Sequence, residues 1–224
     1  LTFKPLEQAN IKDTAVVLFT SGSESRPKAV PLSHANFLAN MADYNQVITF
    51  ENNDRILGML PPFHSFGLAG GIILPVCMGM RVVYHANPTE GAIISRLIKK
   101  YQATVIFGTP TFINGILVGG KAGELGSLRL LVTGAEKCPD YVYEAIADRY
   151  PDVITCEGYG ITECSPVVSA NLPDNPKPGT IGKVLPSIEY LIVEPDTYQP
   201  IAQGERGRLL VRGQSIFSGY INFD

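Results

Sequence analysis

Four short stretches of this sequence carry residue types that could handle a phosphorylated ligand. The first is Thr20-Ser21-Gly22-Ser23-Glu24-Ser25-Arg26-Pro27-Lys28, which follows the apolar run Val16 to Phe19. Phosphate oxygens need several donors converging from one side. The backbone N–H groups of a tightly curled loop supply them, and glycine allows the dihedrals such a loop demands. Ser and Thr hydroxyls add donors, and Lys adds a point charge. Gly22 and Lys28 have the spacing of GxxxxGK[ST], but Pro27 replaces its second glycine and Ala29 its metal-binding hydroxyl. On these residues alone, a Ser-rich surface loop and a phosphate loop stand even.

The second stretch, Pro61 to Leu68, sets His64 between Phe63 and Phe66. This is either a half-buried structural histidine or a polar group guarding an apolar pocket. The third is Thr133-Gly134-Ala135-Glu136-Lys137. The fourth, Glu157-Gly158-Tyr159-Gly160-Ile161-Thr162-Glu163, offers Gly158-x-Gly160, but Glu163 stands where a dinucleotide fingerprint needs its third glycine. An acid there could hold Mg²⁺ and Thr162 could reach a phosphate oxygen, or the segment is a tight turn with a solvated Glu.

The elements that must position these stretches alternate. Strands are expected at Val16 to Phe19, Arg55 to Leu60, Arg81 to Tyr84, Thr104 to Phe107, Leu128 to Val132 and Val153 to Cys156. Helical spacing marks Phe37, Met41, Tyr44 and Ile48 behind a Ser33 cap, and Ile93, Ile94, Leu97, Ile98 and Tyr101 within Glu90 to Tyr101. Further helices are expected at Phe66 to Met78 (buried), Thr111 to Leu117 and Pro139 to about Tyr150. This order implies an α/β fold with a mostly parallel sheet flanked by helices. After Pro166 the helical period stops, and Ile181 to Val193 and Arg208 to Arg212 read as a small antiparallel β region. The expected division is 1–165, α/β, and 166–224, β-rich. Ligands bind beyond the carboxyl ends of parallel strands, so the four stretches would gather on one rim.

The 224 residues carry a net charge of −3, against a nucleic-acid surface. Cys77, Cys138, Cys156 and Cys164 form no CxxC pair and read as buried thiols of a cytosolic protein. Ile56 to Met80 holds no Lys, Arg, Asp or Glu, but its prolines, His64 and glycines fit a strand, a turn and a helix better than a membrane span.

Taken together, the motifs resemble the adenylate-forming superfamily of acyl-CoA synthetases, luciferases and peptide-synthetase adenylation domains. Thr20 to Ala29 resembles its Ser/Thr/Gly-rich signature, and Glu157 to Glu163 its Tyr-Gly-x-Thr-Glu motif. Gly204 to Gly213 with Gly219-Tyr220 resembles its later β-strand motif. Thr20 to Glu24, Pro62 to Leu68, Val132 to Lys137 and Glu157 to Val168 look most like the acyl-acyl-carrier-protein synthetases, a branch in which fusion to a lysophospholipid acyltransferase occurs. Long-chain acyl-CoA ligases are the near alternative, and a non-catalytic nucleotide-binding module with the same fold is the different-class one.

The resemblance implies ATP and Mg²⁺ as cofactors, and a fatty acid with carrier protein or coenzyme A as partners. It also implies a cytoplasmic setting, which for the intact protein could be the cytoplasmic membrane face. Thr20, Ser21, Gly22, Ser23, Ser25 and Lys28 would hold the β- and γ-phosphates. Gly134, Ala135 and Glu136 would line one side of the adenine, and Gly158, Tyr159 and Gly160 the other. Thr162 would contact the α-phosphate, Glu163 would bind Mg²⁺, and His64 would lie near the fatty carboxylate. Ser25 and Ala29 depart from the family's usual glycines. The ribose-binding Asp and the C-terminal catalytic Lys of the family are not in the sequence, so a central fragment of the large N-terminal domain, inactive or nearly so alone, is expected.

Overall fold

The computed structural model describes residues 10–20 and 27–221. The first two strands form their own antiparallel ribbon. β1 (Thr14–Thr20) pairs with β2 (Lys28–Ser33), placing Thr20 opposite Lys28. This corrects the expectation of one strand in the parallel sheet followed by a loop. Pro31 makes Lys28 to Ser33 read as irregular, yet a two-stranded ribbon leaves one side of each strand unpaired, where the missing N–H of a proline costs nothing.

α1 (His34–Val47) starts where the sequence places it. The Ser33 side chain accepts from the Asn36 amide at 3.1 Å, and the Asn36 side chain accepts from the Ser33 amide at 2.9 Å, a reciprocal cap. Its inner face also carries two buried polar residues. Asn40 donates to the Val167 carbonyl at 2.7 Å and accepts from the Val167 amide at 3.1 Å, while Asp43 accepts from the Ser187 hydroxyl and amide. Each fixes the helix against chain more than a hundred residues away.

Among the described residues the main sheet has seven strands in the order β4-β3-β5-β6-β7-β8-β9. β3 (Arg55–Gly58), β4 (Arg81–Tyr84), β5 (Val105–Gly108), β6 (Leu130–Thr133) and the first half of β7 (Ile154–Gly160) run parallel. β8 (Val167–Ala170) and β9 (Lys183–Val184) add antiparallel to the second half of β7. The sheet therefore runs on past Pro166, and the separate β hairpin begins only at β10 (Glu189–Val193), paired with β11 (Arg208–Arg212).

Every residue of β5 and β6 is buried, the pattern of a strand covered on both faces. On one face Leu57, Ile106 and Leu131 meet Ile94 and Ile98 of α4 (Gly91–Tyr101), Ile116 of α5 (Pro110–Gly119) and Ile146 of α6 (Asp140–Arg149). On the other, Ile56, Val105, Leu130 and Val132 meet Tyr44 and Leu74. Each such side chain contributes about 1.5–3 kcal/mol by leaving water.

The expected helix over Phe66 to Met78 is three pieces in a row: α2 (Ser65–Leu68), a π-helical stretch Ala69–Ile73, and α3 (Leu74–Met78). It is buried on one side only. Val76 is 75% exposed, and Cys77 is exposed, unlike the other three thiols. Among the described residues no helix is long and apolar enough to cross a membrane.

The amino ends of β3, β5 and β6 are tied by one buried carboxylate. Asp54 accepts from Arg129 Nε at 2.8 Å and Thr104 Oγ1 at 2.7 Å, and also pairs with Arg129 Nη2. Burial acts to raise the Asp54 pKa, but hydrogen bonds from Arg129, the Glu51 amide and Thr104 outweigh it and hold it below the usual carboxylate value of 3.8. Stability from a depressed carboxylate is present above its unfolded pKa and lost as pH falls through the folded one. Asp54→Asn is expected to cost about 3 kcal/mol near pH 7, because it leaves half-buried Arg129 with only the Thr49 carbonyl and the exposed Glu51, 3.6 Å away. Thermal melts of both proteins from pH 7 downward check this, and the gap should narrow below about pH 4.

Candidate active site

β7 changes partner in mid-strand, and that change builds the site. Up to Glu157 it pairs parallel with β6, with Thr133 opposite Glu157. From Gly158 it pairs antiparallel with β8. The crossing point is held by the Glu157 carboxylate, 4% exposed, which accepts from the Cys138 amide at 3.1 Å and from the Tyr143 hydroxyl at 2.7 Å. The Glu157 carbonyl accepts from the Asn171 amide at 2.9 Å. Burial, then hydrogen bonding to Glu157, pushes the Tyr143 pKa well up, so the phenol stays a donor. Burial and the nearby Glu157 charge push the Cys138 thiol to about 11.

Next to this clasp, Thr133 to Glu136 leaves β6 and folds back over β7. Ala135 takes a left-handed conformation (φ 67°), and the Thr111 hydroxyl donates to Glu136 Oε2 at 2.6 Å. The two chains approach so closely that a Cβ on Gly134 would lie 2.9 Å from the Gly158 carbonyl oxygen. One on Gly160 would lie 2.1 Å from that of Pro166. Bare backbone is required at both positions.

A cavity of about 470 Å³ opens beside this slot. It brings together most of the residues singled out from sequence: His64, Gly134, Ala135, Glu136, Gly158, Tyr159, Gly160 and Thr162 all line it. His64, just before α2, is exposed at the mouth with its ring tilted against Phe63 at 4.7 Å. The inner wall is apolar, formed by Tyr44, Ile48, Phe66, Leu74, Phe107 and Val132. Phe66 and Phe107 meet edge to face at 6.1 Å. Thr133 Oγ1, on the same wall, is buried with no hydrogen-bond partner among the described residues, an open position for a polar ligand atom.

Thr162 and Glu163 form a 3₁₀ turn after β7. Thr162 Oγ1 lies 3.3 Å from Ser65 Oγ, so the turn and α2 meet at the cavity edge. Glu163 is set apart from the cavity lining. Its Oε1 accepts from the Tyr220 hydroxyl at 2.7 Å, and its carbonyl accepts from the Phe217 amide at 2.9 Å. Burial, then the bond to Glu163, raises the Tyr220 pKa to about 12. The Lys28 ammonium lies 5.2 Å from the centre of the Tyr220 ring. Thr20 and Lys28 thus face each other across the ribbon end, near Glu163 through Tyr220. Ser21, Gly22, Ser23 and Ser25 lie outside the described residues.

No cluster of three or more His, Cys, Asp or Glu side chains suits a metal among the described residues. One carboxylate together with a substrate's phosphates is nonetheless a donor set that Mg²⁺ takes, and Glu163 would supply the carboxylate. Residue types alone missed Ser65, Tyr143 and Tyr220. The signal for Tyr220 was its place in the Gly219-Tyr220 dipeptide. Glu157 was visible only as the first letter of a motif, and its partners lie 14 and 19 residues away.

Residues 2–221 match the family model of the AMP-binding enzymes, and the chain belongs to that adenylate-forming family. It is 33% identical over 218 residues to the protein named "Probable 4-coumarate--CoA ligase 3" of Dictyostelium discoideum, a match covering 94% of this chain and 39% of the relative. Its fold superposes on a long-chain-fatty-acid-CoA ligase from Archaeoglobus fulgidus with a TM-score of 0.84 at 27% identity, covering 97% of this chain and 45% of the other. The O-succinylbenzoate coenzyme A synthetase of Bacillus subtilis, solved with AMP, gives 0.84 at 25% identity, with 95% and 43% covered. The chain thus spans about two fifths of the length of such relatives.

Glu157→Ala is expected to lower stability by about 2–4 kcal/mol, since it strands the Cys138 amide and the Tyr143 hydroxyl in a buried place. Glu157→Gln keeps an acceptor for the amide and should recover most of it. Chemical denaturation of the three proteins measures both effects.

Proposed function

We propose that this chain forms much of the adenylation site of an ATP-dependent ligase that activates a fatty acid and passes the acyl group to a phosphopantetheine thiol. The observation that carries the reading is one cavity that joins glycine-lined backbone to an aromatic, apolar inner wall, with Thr162 at its edge and His64 at its mouth. Where Gly134, Gly158 and Gly160 line the cavity, no side chain stands in the way of a flat base laid against the bare backbone. The inner wall suits an apolar acid.

In the first half-reaction a carboxylate oxygen of the acid bonds to the α-phosphorus, the bond to the β-phosphate oxygen breaks, and pyrophosphate leaves. The carboxylate is already charged, so no general base is needed. Rate comes from positioning and from neutralising charge. Thr20 and Lys28 would hold the outer phosphates, joined in this reading by Ser21, Gly22, Ser23 and Ser25. Thr162 would donate to the α-phosphate, and His64 would orient the carboxylate at the cavity mouth. Gly134, Ala135, Glu136, Gly158, Tyr159 and Gly160 would enclose the base. Mg²⁺, held by Glu163 and the phosphates, would supply countercharge to the triphosphate. In the second half-reaction the thiol loses its proton to solvent, its sulfur bonds to the acyl carbon, the acyl carbon's bond to the phosphate oxygen breaks, and AMP leaves.

Two acceptors compete. The relatives named as coenzyme A ligases support coenzyme A. The likeness of Pro62 to Leu68, Val132 to Lys137 and Glu157 to Val168 to acyl-carrier-protein synthetases supports a carrier protein. The full-length gene product should be given MgATP, a long-chain fatty acid, and equal holo-carrier protein and coenzyme A, with the acylated thiol identified by mass spectrometry. Acyl-carrier protein as main product supports the second acceptor, and acyl-coenzyme A the first. Neither thioester, with no AMP released, would overturn the reading.

Two substitutions in the same protein test the assignments. Glu163→Ala should slow Mg²⁺-dependent adenylation by about a hundredfold. His64→Ala should raise the KM for the fatty acid by about tenfold and leave that for ATP unchanged. Pyrophosphate-exchange kinetics read both.

A further inference from the structure

Tyr220 touches both charged groups that the proposed function places around the triphosphate. Its hydroxyl donates to Glu163 Oε1 at 2.7 Å, and its ring lies beneath the Lys28 ammonium at 5.2 Å from the ring centre. The segment that carries it is fastened at several points. The Ile221 amide donates to the Ala29 carbonyl at 3.0 Å, next to Lys28 on β2. The Phe217 amide donates to the Glu163 carbonyl at 2.9 Å, and Ser165 Oγ donates to the Ser215 carbonyl at 2.8 Å. Asn36 of α1 donates to the Gln214 and Ile216 carbonyls at 2.8 and 3.0 Å. The Phe217 ring packs edge-on against Tyr220, centroids 4.8 Å apart.

β2 and the two strands that flank the Glu163 turn, β7 and β8, belong to different sheets. Residues 213–221 cross from one to the other, and Tyr220 sits where they meet. We infer that Tyr220 is a positioning residue that sets the separation of the phosphate-loop lysine and the metal-binding carboxylate. Its hydroxyl aims Glu163 and its ring seats Lys28. A hydrogen-bonded partner behind a ligating carboxylate fixes its direction and tunes metal affinity. A cation on a ring face stays charged while losing freedom to wander. The two functions are separable, because phenylalanine keeps the ring and removes only the hydroxyl.

This inference rests on the roles proposed for Lys28 and Glu163, and the test separates the two levels. Calorimetry on the full-length gene product measures ATP affinity without Mg²⁺ and the Mg²⁺ concentration that half-saturates its enhancement. It is applied to wild type, Glu163→Gln, Tyr220→Phe and Tyr220→Leu, with melting temperatures recorded for each. Tyr220→Phe should raise the half-saturating Mg²⁺ concentration by about tenfold, in the direction of Glu163→Gln, and leave Mg²⁺-free ATP affinity unchanged. Tyr220→Leu should add a loss of about fivefold in Mg²⁺-free affinity.

If Glu163→Gln shifts the Mg²⁺ dependence and Tyr220→Phe does not, the inference is overturned while the site assignment stands. Equal losses with and without Mg²⁺ in Tyr220→Phe, together with a lower melting temperature, would make the residue merely structural and also overturn it. Unchanged Mg²⁺ dependence in Glu163→Gln would remove the carboxylate role itself, and the inference with it.

Discussion

The site depends on one buried carboxylate at the point where a strand changes partner. β7 leaves β6 and takes up β8 at the Glu157–Gly158 bond. Beyond that bond β6 no longer pairs with β7, and the segment from Thr133 to Glu136 lies against it instead, forming the slot. Glu157 keeps it at a fixed width by binding the Cys138 amide on one side and the Tyr143 hydroxyl of α6 behind. A buried carboxylate without such partners would be costly, so the charge enforces the geometry that satisfies it. Close backbone approach then follows, and with it the need for glycine at 134 and 160.

Around that clasp the molecule separates stability from chemistry by the two ends of one sheet. Asp54, Thr104 and Arg129 lock the amino ends of β3, β5 and β6. The carboxyl ends carry the loops that line the cavity, as expected for an open parallel sheet. The strands between them are apolar on both faces, and only their last residues, such as Phe107 and Val132, reach the cavity. α1 is fastened to the same frame. Its outer turn caps itself with Ser33 and Asn36, and its inner face ties β8 and the Ser187 turn through Asn40 and Asp43.

What the sequence revealed was what is local. The period of Ile94, Leu97, Ile98 and Tyr101 is a property of eight residues, and α4 appears where that period puts it. The Ser33 cap is likewise contained in four residues. What it hid was decided by distant partners. Whether Val16 to Phe19 pairs with a parallel sheet or with Lys28 to Ser33 is set by the register of the ribbon, and Pro31 disguised the second strand. The glycines at 67, 70 and 71 erase the apolar period that would have marked the π-helical stretch between α2 and α3. The site followed the same rule. His64, Gly134, Gly158 and Thr162 were visible from their motifs. The bond from Tyr220 to Glu163 spans 57 residues and had no local mark.

The most direct measurement of the account is hydrogen–deuterium exchange on the full-length gene product with and without a non-hydrolysable acyl-adenylate analogue. The clasp and slot predict slowed exchange in 133–138 and 157–163, with no change in the groove that Glu90 to Ile93 of α4 and Asn114 to Gly119 of α5 line away from the cavity. Protection confined to that groove, or unchanged exchange at both slot segments under saturating analogue, would contradict a nucleotide site built on the partner change of β7.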